Sequence, residues 1–374
     1  FKHKTAYELL RSLVGSEMCI RDSHQTNRTS SIKYPNSHIG IYEKENMINE
    51  MTWLNELYKR LSKPIKDHQC AHALLIKGDR GIGRSKLALS LAAGFLSENI
   101  DLDEEDINEG KVADCKLINP DEGKKIISID QIRSLKSFML LTSLKGKGKV
   151  AIINPADAMN KAAANSLLKI LEEPPQDTLI ILISESNNNL PKTIISRVQI
   201  IEVNNPTREE TLNWLKAINP EESWAQIIEI FGSRPTLLKN LGFEYLNSQI
   251  QQVAKDLENL LTKKIKPSKL ASSWKSEDLE TNLRILYFWF SKFLYHNLLD
   301  EGESNLLPDS LNKLLKLDLN IEESFTFLKE VASIRKYKIE GRTLNWDLQI
   351  TNLLSPMYSN LKGLQNNESR TQKH

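Results

Sequence analysis

The sequence predicts an α/β domain built on a parallel sheet, followed by helical domains. Three observations predict it. Apolar runs too short for helices recur across residues 73–203, each bounded by turn residues. Segments with helical spacing separate them over short connections, and strands alternating with helices in this way give a parallel sheet. Beyond Val203 the apolar period is helical throughout.

The segment Lys149–Arg197, KVAIINPADAMNKAAANSLLKILEEPPQDTLIILISESNNNLPKTIISR, shows the pattern most clearly. Val150–Ile153 reads as a buried strand stopped by a turn at Asn154-Pro155. Asn160 is placed to cap a helix whose Ala163, Ala164, Leu167, Leu168 and Leu171 fall at helical spacing. Pro174-Pro175 stops that helix, because proline lacks an amide and restricts the residue before it. Leu179–Ile183 is a second buried strand, Pro191 fits the first turn of a short helix ending near Arg197, and Val198–Val203 is a third strand.

Upstream, Trp53–Leu61 is helix-like, and Ala73–Ile76 is a buried strand leading into GDRGIGRS, Gly78–Ser85, and then a helix. Strand, glycine loop and helix are the context a phosphate-binding loop needs, since backbone amides line the loop and the helix N-terminus adds positive potential. The spacing fits G-x-x-x-x-G-K-[ST] at Gly78, Gly83 and Ser85, with Gly81 between, but the lysine position holds Arg84. A guanidinium is a wider, planar fork than an ammonium, and Lys86 comes two residues beyond that position. Two readings of the loop stand: a phosphate cradle, and glycines that only turn a strand into a helix. An active ATPase of this type ends the strand that matches Val150–Ile153 in Asp-Glu, to hold Mg²⁺ and orient water. Asn154-Pro155 stands there instead, so a silent site is expected, with no cofactor required.

Glu98–Glu109 is acidic and reads as a solvated loop, Cys115–Ile118 as a strand, and Ile126–Ile129 as a short extended segment. Asp130–Leu141 is a helix with Ile132, Leu135, Phe138 and Met139 on its apolar side. After the sheet, Thr207 and Glu210 form a capping box, Glu221–Ile230 is a helix closed by Gly232, and Pro235–Leu241 is a short third helix. Ser276 is placed to cap a long helix carrying Leu279, Leu283, Leu286, Phe290 and Leu294; Asn320 and Glu323 suggest another start, and Gly341 its end. The aromatic run Tyr287–Phe290 lies in an apolar helix without interleaved basic residues, which makes it bundle core rather than a base-stacking platform.

The helix AAANSLLKILEEPP, the LP-xx-IxSR segment after the next strand and the upstream glycine loop together resemble the clamp-loader subunits of bacterial DNA polymerase III, most of all the delta-prime family, from about Met51 to about Leu361. The resemblance implies an AAA+ P-loop-type sheet domain over 47–203, a helical lid over 204–247 and an all-α collar for oligomerisation over 248–363. It implies a catalytically silent scaffold subunit that helps load the sliding clamp onto primed DNA during replication. Its partners would be the motor ATPase subunits, delta, the clamp and, through the complex, primed DNA. In such subunits the Ser-Arg pair matching Ser196 and Arg197 lies at a subunit boundary, and the arginine reaches the γ-phosphate of the neighbour. Many relatives of this type carry a four-cysteine zinc module near residue 115; with Cys115 alone there, no zinc is expected. Arg234 directly follows Ser233 and precedes Pro235, so the lid arginine of AAA+ proteins is not assigned to it. Two other classes stay open: an active P-loop ATPase of the motor type, against which Arg84 and Asn154-Pro155 speak, and a non-replicative AAA+ adaptor or damage-specific loader.

Composition narrows the setting. No apolar run approaches the roughly 18 residues of a membrane helix, and with only Cys19, Cys70 and Cys115 no disulfide framework is implied, which points to a reducing cytoplasm. The net +2 charge resides in residues 1–46, leaving a neutral body without a dominant nucleic-acid groove of its own. Those first residues have no sustained period and are expected to be a disordered, non-native extension. Within them, LVGSEMCIRDS (13–23) resembles a translated sequencing-adaptor artefact, with Met47 or Met51 as the true start. Residues 364–374 are expected to be a disordered tail.

Overall fold

The computed structural model describes residues 50–97, 102–185, 190–299, 321–339 and 342–360. The expectations for residues 1–46, Met47, Asn320, Gly341 and the tail at 364–374 lie outside them. Five strands, β1 (Ala73–Lys77), β2 (Cys115–Ile118), β3 (Lys149–Ile153), β4 (Thr178–Ser184) and β5 (Gln199–Glu202), form one parallel sheet in the order β2-β3-β4-β1-β5. The register sets Leu75 between Leu182 and Ile200. Every residue of β3 and β4 is buried, which is why both read as unbroken apolar runs: a parallel strand covered on both faces has no solvent side to mark with polar residues. At the rim, β5 buries only Ile201 and exposes Gln199, Ile200 and Glu202.

The sheet is covered on both faces. Against one face, Leu75, Ala151, Ile153, Ile180 and Leu182 join a core with Ile132, Leu135 and Met139 of α4 (Ile129–Leu140) and with Ala163, Leu167 and Leu171 of α5 (Lys161–Glu172). Helix α2 (Arg84–Phe95) covers the other face, buried from Leu87 to Phe95, and α1 (Thr52–Lys66) packs on α2. Asn160 caps α5 as expected, its side chain accepting the Ala163 amide at 2.8 Å. The Thr207–Glu210 capping box is present at the start of α7 (Arg208–Ile218), numbered after α6 (Lys192–Ile195).

Several expected boundaries change. The stretch read as a solvated loop holds a helix, α3 (Glu104–Asn108), capped by Asp103, whose carboxylate accepts the Asp106 amide at 2.7 Å. Leu102 and Ile107 bury beneath it, and two apolar residues are enough to fix a single turn inside an acidic stretch. Ile126–Ile129 is not an extended segment: only Ile127 bridges, to Met159, and α4 already begins at Ile129 because Ser128 and Gln131 form a capping box. Helix α1 runs past Leu61 to Lys66 through Pro64, and Pro191 sits just ahead of α6 rather than within it.

By contact the described chain divides into two units. The first holds the sheet domain, α7, and Ser233–Asn240, which is most of α9 (Pro235–Leu241). The second holds Ser223–Gly232 with α8 (Trp224–Phe231), and the chain from Leu241: α10 (Phe243–Leu261), α11 (Pro267–Ser273), α12 (Leu279–Leu299), α13 (Ile321–Ile339) and α14 (Trp346–Asn360). Helix α8 starts at Trp224, not Glu221, and its closing carbonyls at Ile230 and Phe231 accept from the Arg284 guanidinium at 3.2 and 2.7 Å. Leu279, Leu283, Leu286, Trp289, Phe290 and Leu294 of α12 are buried, so the aromatic run is bundle core. Ser276 does not cap α12, which begins at Leu279; its hydroxyl accepts the Lys338 ammonium at 2.7 Å instead.

Candidate nucleotide loop and trans-acting arginine

The chain leaves β1 at Lys77 and turns through Gly78–Gly83 into α2. Gly81 (φ +85°) and Gly83 (φ +95°) take the left-handed backbone conformation that a side chain disfavours, and a Cβ on Gly81 would stand 2.5 Å from that of Leu237. The loop is also tied to its surroundings. The Gly81 carbonyl accepts the Thr236 amide at 2.9 Å, the Ile82 carbonyl accepts the Trp53 indole at 2.8 Å, and Asp79 accepts the Asn205 amide group at 2.6 Å. The expected loop residues Gly78, Gly81, Gly83, Arg84 and Ser85 are therefore brought together at the C-terminal end of the sheet.

Arg84 opens α2 and is only 9% exposed. One end of its guanidinium, Nη2, lies 3.5 Å from Oε1 of Glu185, the residue just after β4. Its Nη1 is buried with no hydrogen-bond partner among the described residues. Burial lowers the Arg84 pKa from its ordinary value, while the charges of Glu185, Asp157 and Asp79 oppose the shift and that of Arg80 adds to it. The carboxylates keep a cation tolerable there. The Lys86 charge is felt by Glu104 of α3, whose carboxyl burial pushes up and Lys86 pulls down, and by Lys239 of α9.

Ser85 and the end of β3 meet directly. The Asn154 side-chain amide donates to the Ser85 hydroxyl at 3.2 Å. In a metal-dependent phosphate loop these two positions share the magnesium ion. Here a neutral amide turns an N–H, not an anionic oxygen, toward the serine, so the pair does not fit a magnesium ion. Among the described residues no group of three or more His, Cys, Asp and Glu side chains is placed to hold a metal.

Ser196 and Arg197 lie elsewhere. Every strand of the sheet is parallel, so the loop, Asn154 and Glu185 follow the C-terminal ends of β1, β3 and β4, whereas Arg197 enters the N-terminal end of β5. Gln199 pairs with Leu74, which sets Arg197 level with the chain before β1, while Gly78 follows its end. At roughly 3.3 Å per residue the two sites are about 20 Å apart along the strands, beyond the span of one side chain. Arg197 is intermediate in exposure, its Nη1 donating to the Thr193 carbonyl at 3.0 Å and to Ser196 Oγ at 3.1 Å. Its Nη2 lies 3.0 Å from Oε1 of Glu172.

Sequence reasoning missed both acidic partners. Glu185 stands 101 positions from Arg84 in a stretch without a motif. Glu172 was visible within LEEPP, and the joint presence of LEEPP and SR in the sequence was the available signal that linked the two segments.

Comparison with known proteins places residues 53–207 in the family described as DNA polymerase III, delta subunit. The chain is 34% identical over 239 residues to DNA polymerase III subunit delta-prime of Pseudomonas aeruginosa, covering 59% of this chain and 70% of that one. It is 38% identical over 159 residues to subunit delta-prime of Bacillus subtilis, covering 40% of this chain and 48% of the relative, so it spans about half that relative's length. Among solved structures, a DNA polymerase III gamma subunit-related protein of Thermotoga maritima is 22% identical with a TM-score of 0.42, covering 83% of this chain and 100% of that one.

Proposed function

The chain belongs to the delta-prime family of DNA polymerase III clamp-loader subunits, and from that premise we propose that it works without turning over ATP and lends Arg197 to the ATP site of a neighbouring subunit. In this reading residues 47–203 are the AAA+ domain, 204–247 the lid and 248–363 the collar through which the motor subunits and delta assemble. The assembled loader would place the sliding clamp on primed DNA in the cytoplasm.

One observation carries the reading. Arg197 lies at the opposite end of the strands from the chain's own glycine loop, beyond reach of a phosphate held in that loop, which supports a role toward a neighbouring subunit. The loop itself supports the same division of labour. Ser85 and Asn154 are bonded to each other, and Arg84 is turned onto Glu185. A guanidinium presented to a neighbour's γ-phosphate offers paired donors to its oxygens and stabilises the charge that grows in the transition state.

The test is a loader reconstituted with Arg197→Ala. The variant should fold and assemble while the complex loses part of its ATPase activity. Arginine fingers are worth about 10³–10⁵ in rate at the site they serve, and only one of several sites is served here. Arg197→Lys should not restore the loss, since an ammonium lacks the fork. A fully assembled Arg197→Ala complex that hydrolyses ATP and loads clamps at the wild-type rate would overturn the proposal.

A further inference from the structure

The two segments that the sequence shows separately, LEEPP and SR, meet in one ion pair, Glu172 Oε1 to Arg197 Nη2 at 3.0 Å. We infer that Glu172 is the positioning residue of the Arg197 finger, setting its guanidinium before a neighbour arrives; this rests on the reading of Arg197 given above. A surface ion pair alone would not carry the inference, but the guanidinium is gripped from two elements. From α6, the Thr193 carbonyl and Ser196 Oγ both accept from Nη1. Ser196 Oγ donates its own proton to the same Thr193 carbonyl at 3.1 Å, which leaves a lone pair for Arg197. From α5, Glu172 holds the other terminal nitrogen.

Glu172 is itself well placed to act as a fixed point. It is the last residue of α5, and Pro174-Pro175 stops the helix immediately after Glu173. Leu171, beside it, is buried, and its carbonyl lies 3.1 Å from the His72 ring. The carboxylate therefore hangs from the end of a packed helix, whereas Arg197 lies two residues beyond a helix of only four. With Nη1 held by α6 and Nη2 by α5, the guanidinium plane is set while the side chain stays part-exposed. Without Glu172 the arginine keeps its α6 contacts but can swing about them, and a smaller fraction of encounters finds it poised. Preorganised donors act without reorganising at the moment of reaction, so the loss falls on turnover and not on ATP affinity.

The experiment uses the reconstituted loader carrying Glu172→Gln, Arg197→Ala or both, with ATP as the probe. The Arg197-dependent part of the rate, wild type minus Arg197→Ala, should fall about two- to five-fold in Glu172→Gln, the range set by a part-exposed ion pair. KM for ATP should not change, and the double variant should match Arg197→Ala alone, because Glu172 acts only through the arginine. A Glu172→Gln complex at the full rate overturns the inference. So does a double variant slower than Arg197→Ala, which would mean that Glu172 serves the fold or the assembly. If Arg197→Ala turns over normally the finger reading fails, and with it any positioning by Glu172, whatever Glu172→Gln does.

Discussion

Replacing Asp114 with asparagine removes a negative charge from a point where donors converge. Its Oδ1 accepts the Leu144 amide at 3.0 Å and the Lys149 ammonium at 3.1 Å; its Oδ2 accepts the Ser143 hydroxyl at 2.9 Å and the Lys145 amide at 3.0 Å. These contacts fasten the connection between α4 and β3. Burial pushes the carboxyl up, but the Lys145 and Leu144 amides, the Ser143 hydroxyl and Lys149 outweigh it and hold the pKa down, from 3.8 to about 2. That depression corresponds to ~2 kcal/mol. The side chain is covered, but Leu144 and Lys145 of the connection that covers it are exposed, so solvent screening trims the figure to ~1–2 kcal/mol. Asparagine adds a second cost, since it turns an NH₂ against donors and leaves the buried Lys149 ammonium without a counter-charge, about 1–3 kcal/mol. A total of roughly 2–5 kcal/mol should lower the thermal midpoint of the full chain at pH 7 by about 5–12 °C, read by circular dichroism. A depressed acid contributes stability that is complete above its unfolded pKa and is lost as pH falls through the folded one. The gap between the two proteins should thus be steady at neutral pH and narrow from 3.8 toward about 2. A midpoint within about 2 °C of wild type at pH 7, or a gap that widens with acid, would refute the reasoning.

The isolated chain should release no phosphate from ATP above a buffer control, and Arg84→Lys alone should not change this, because Asn154 still offers no anionic ligand. Turnover that tracks the concentration of the wild-type chain would count against a silent site. Gly81→Ala should cost about 1–3 kcal/mol, since it forces a side chain into φ +85° and against Leu237. An unchanged denaturation midpoint would mean that the loop is not held against α9 in solution.

Local chemistry made much of this structure legible in the sequence. The Asn160 cap, the double-proline stop after α5 and the Thr207–Glu210 box each act within a few residues, so the ends they set can be read directly. Strands β3 and β4 were found within one residue at each end because full burial leaves an uninterrupted apolar run. The capping box at Ser128 and Gln131 was equally local and was passed over in favour of the apolar residues around it. Long-range pairings were a different matter. That Arg84 would turn to Glu185, or that the lone Asp114 would gather a whole connection, depends on which loops the sheet brings side by side, and no spacing in the chain records it. The candidate site was legible as a set of residue types, and its acidic partners only once the strands were in order.

The outer strand β5 has a consequence for how the protein behaves in a concentrated mixture. An uncovered sheet edge presents backbone groups that can template a foreign strand, the usual first step toward aggregation. Here the edge is four residues long, too short to offer a long ladder, and three of them, Gln199, Ile200 and Glu202, are exposed. Glu202 pairs with Lys77 of the adjoining strand at 3.1 Å, so an incoming strand would have to bury or displace a charged pair to extend the sheet. Ile200 is the one apolar residue on offer, and it stands between two polar neighbours. The rim is thereby poorly suited to adding a further strand.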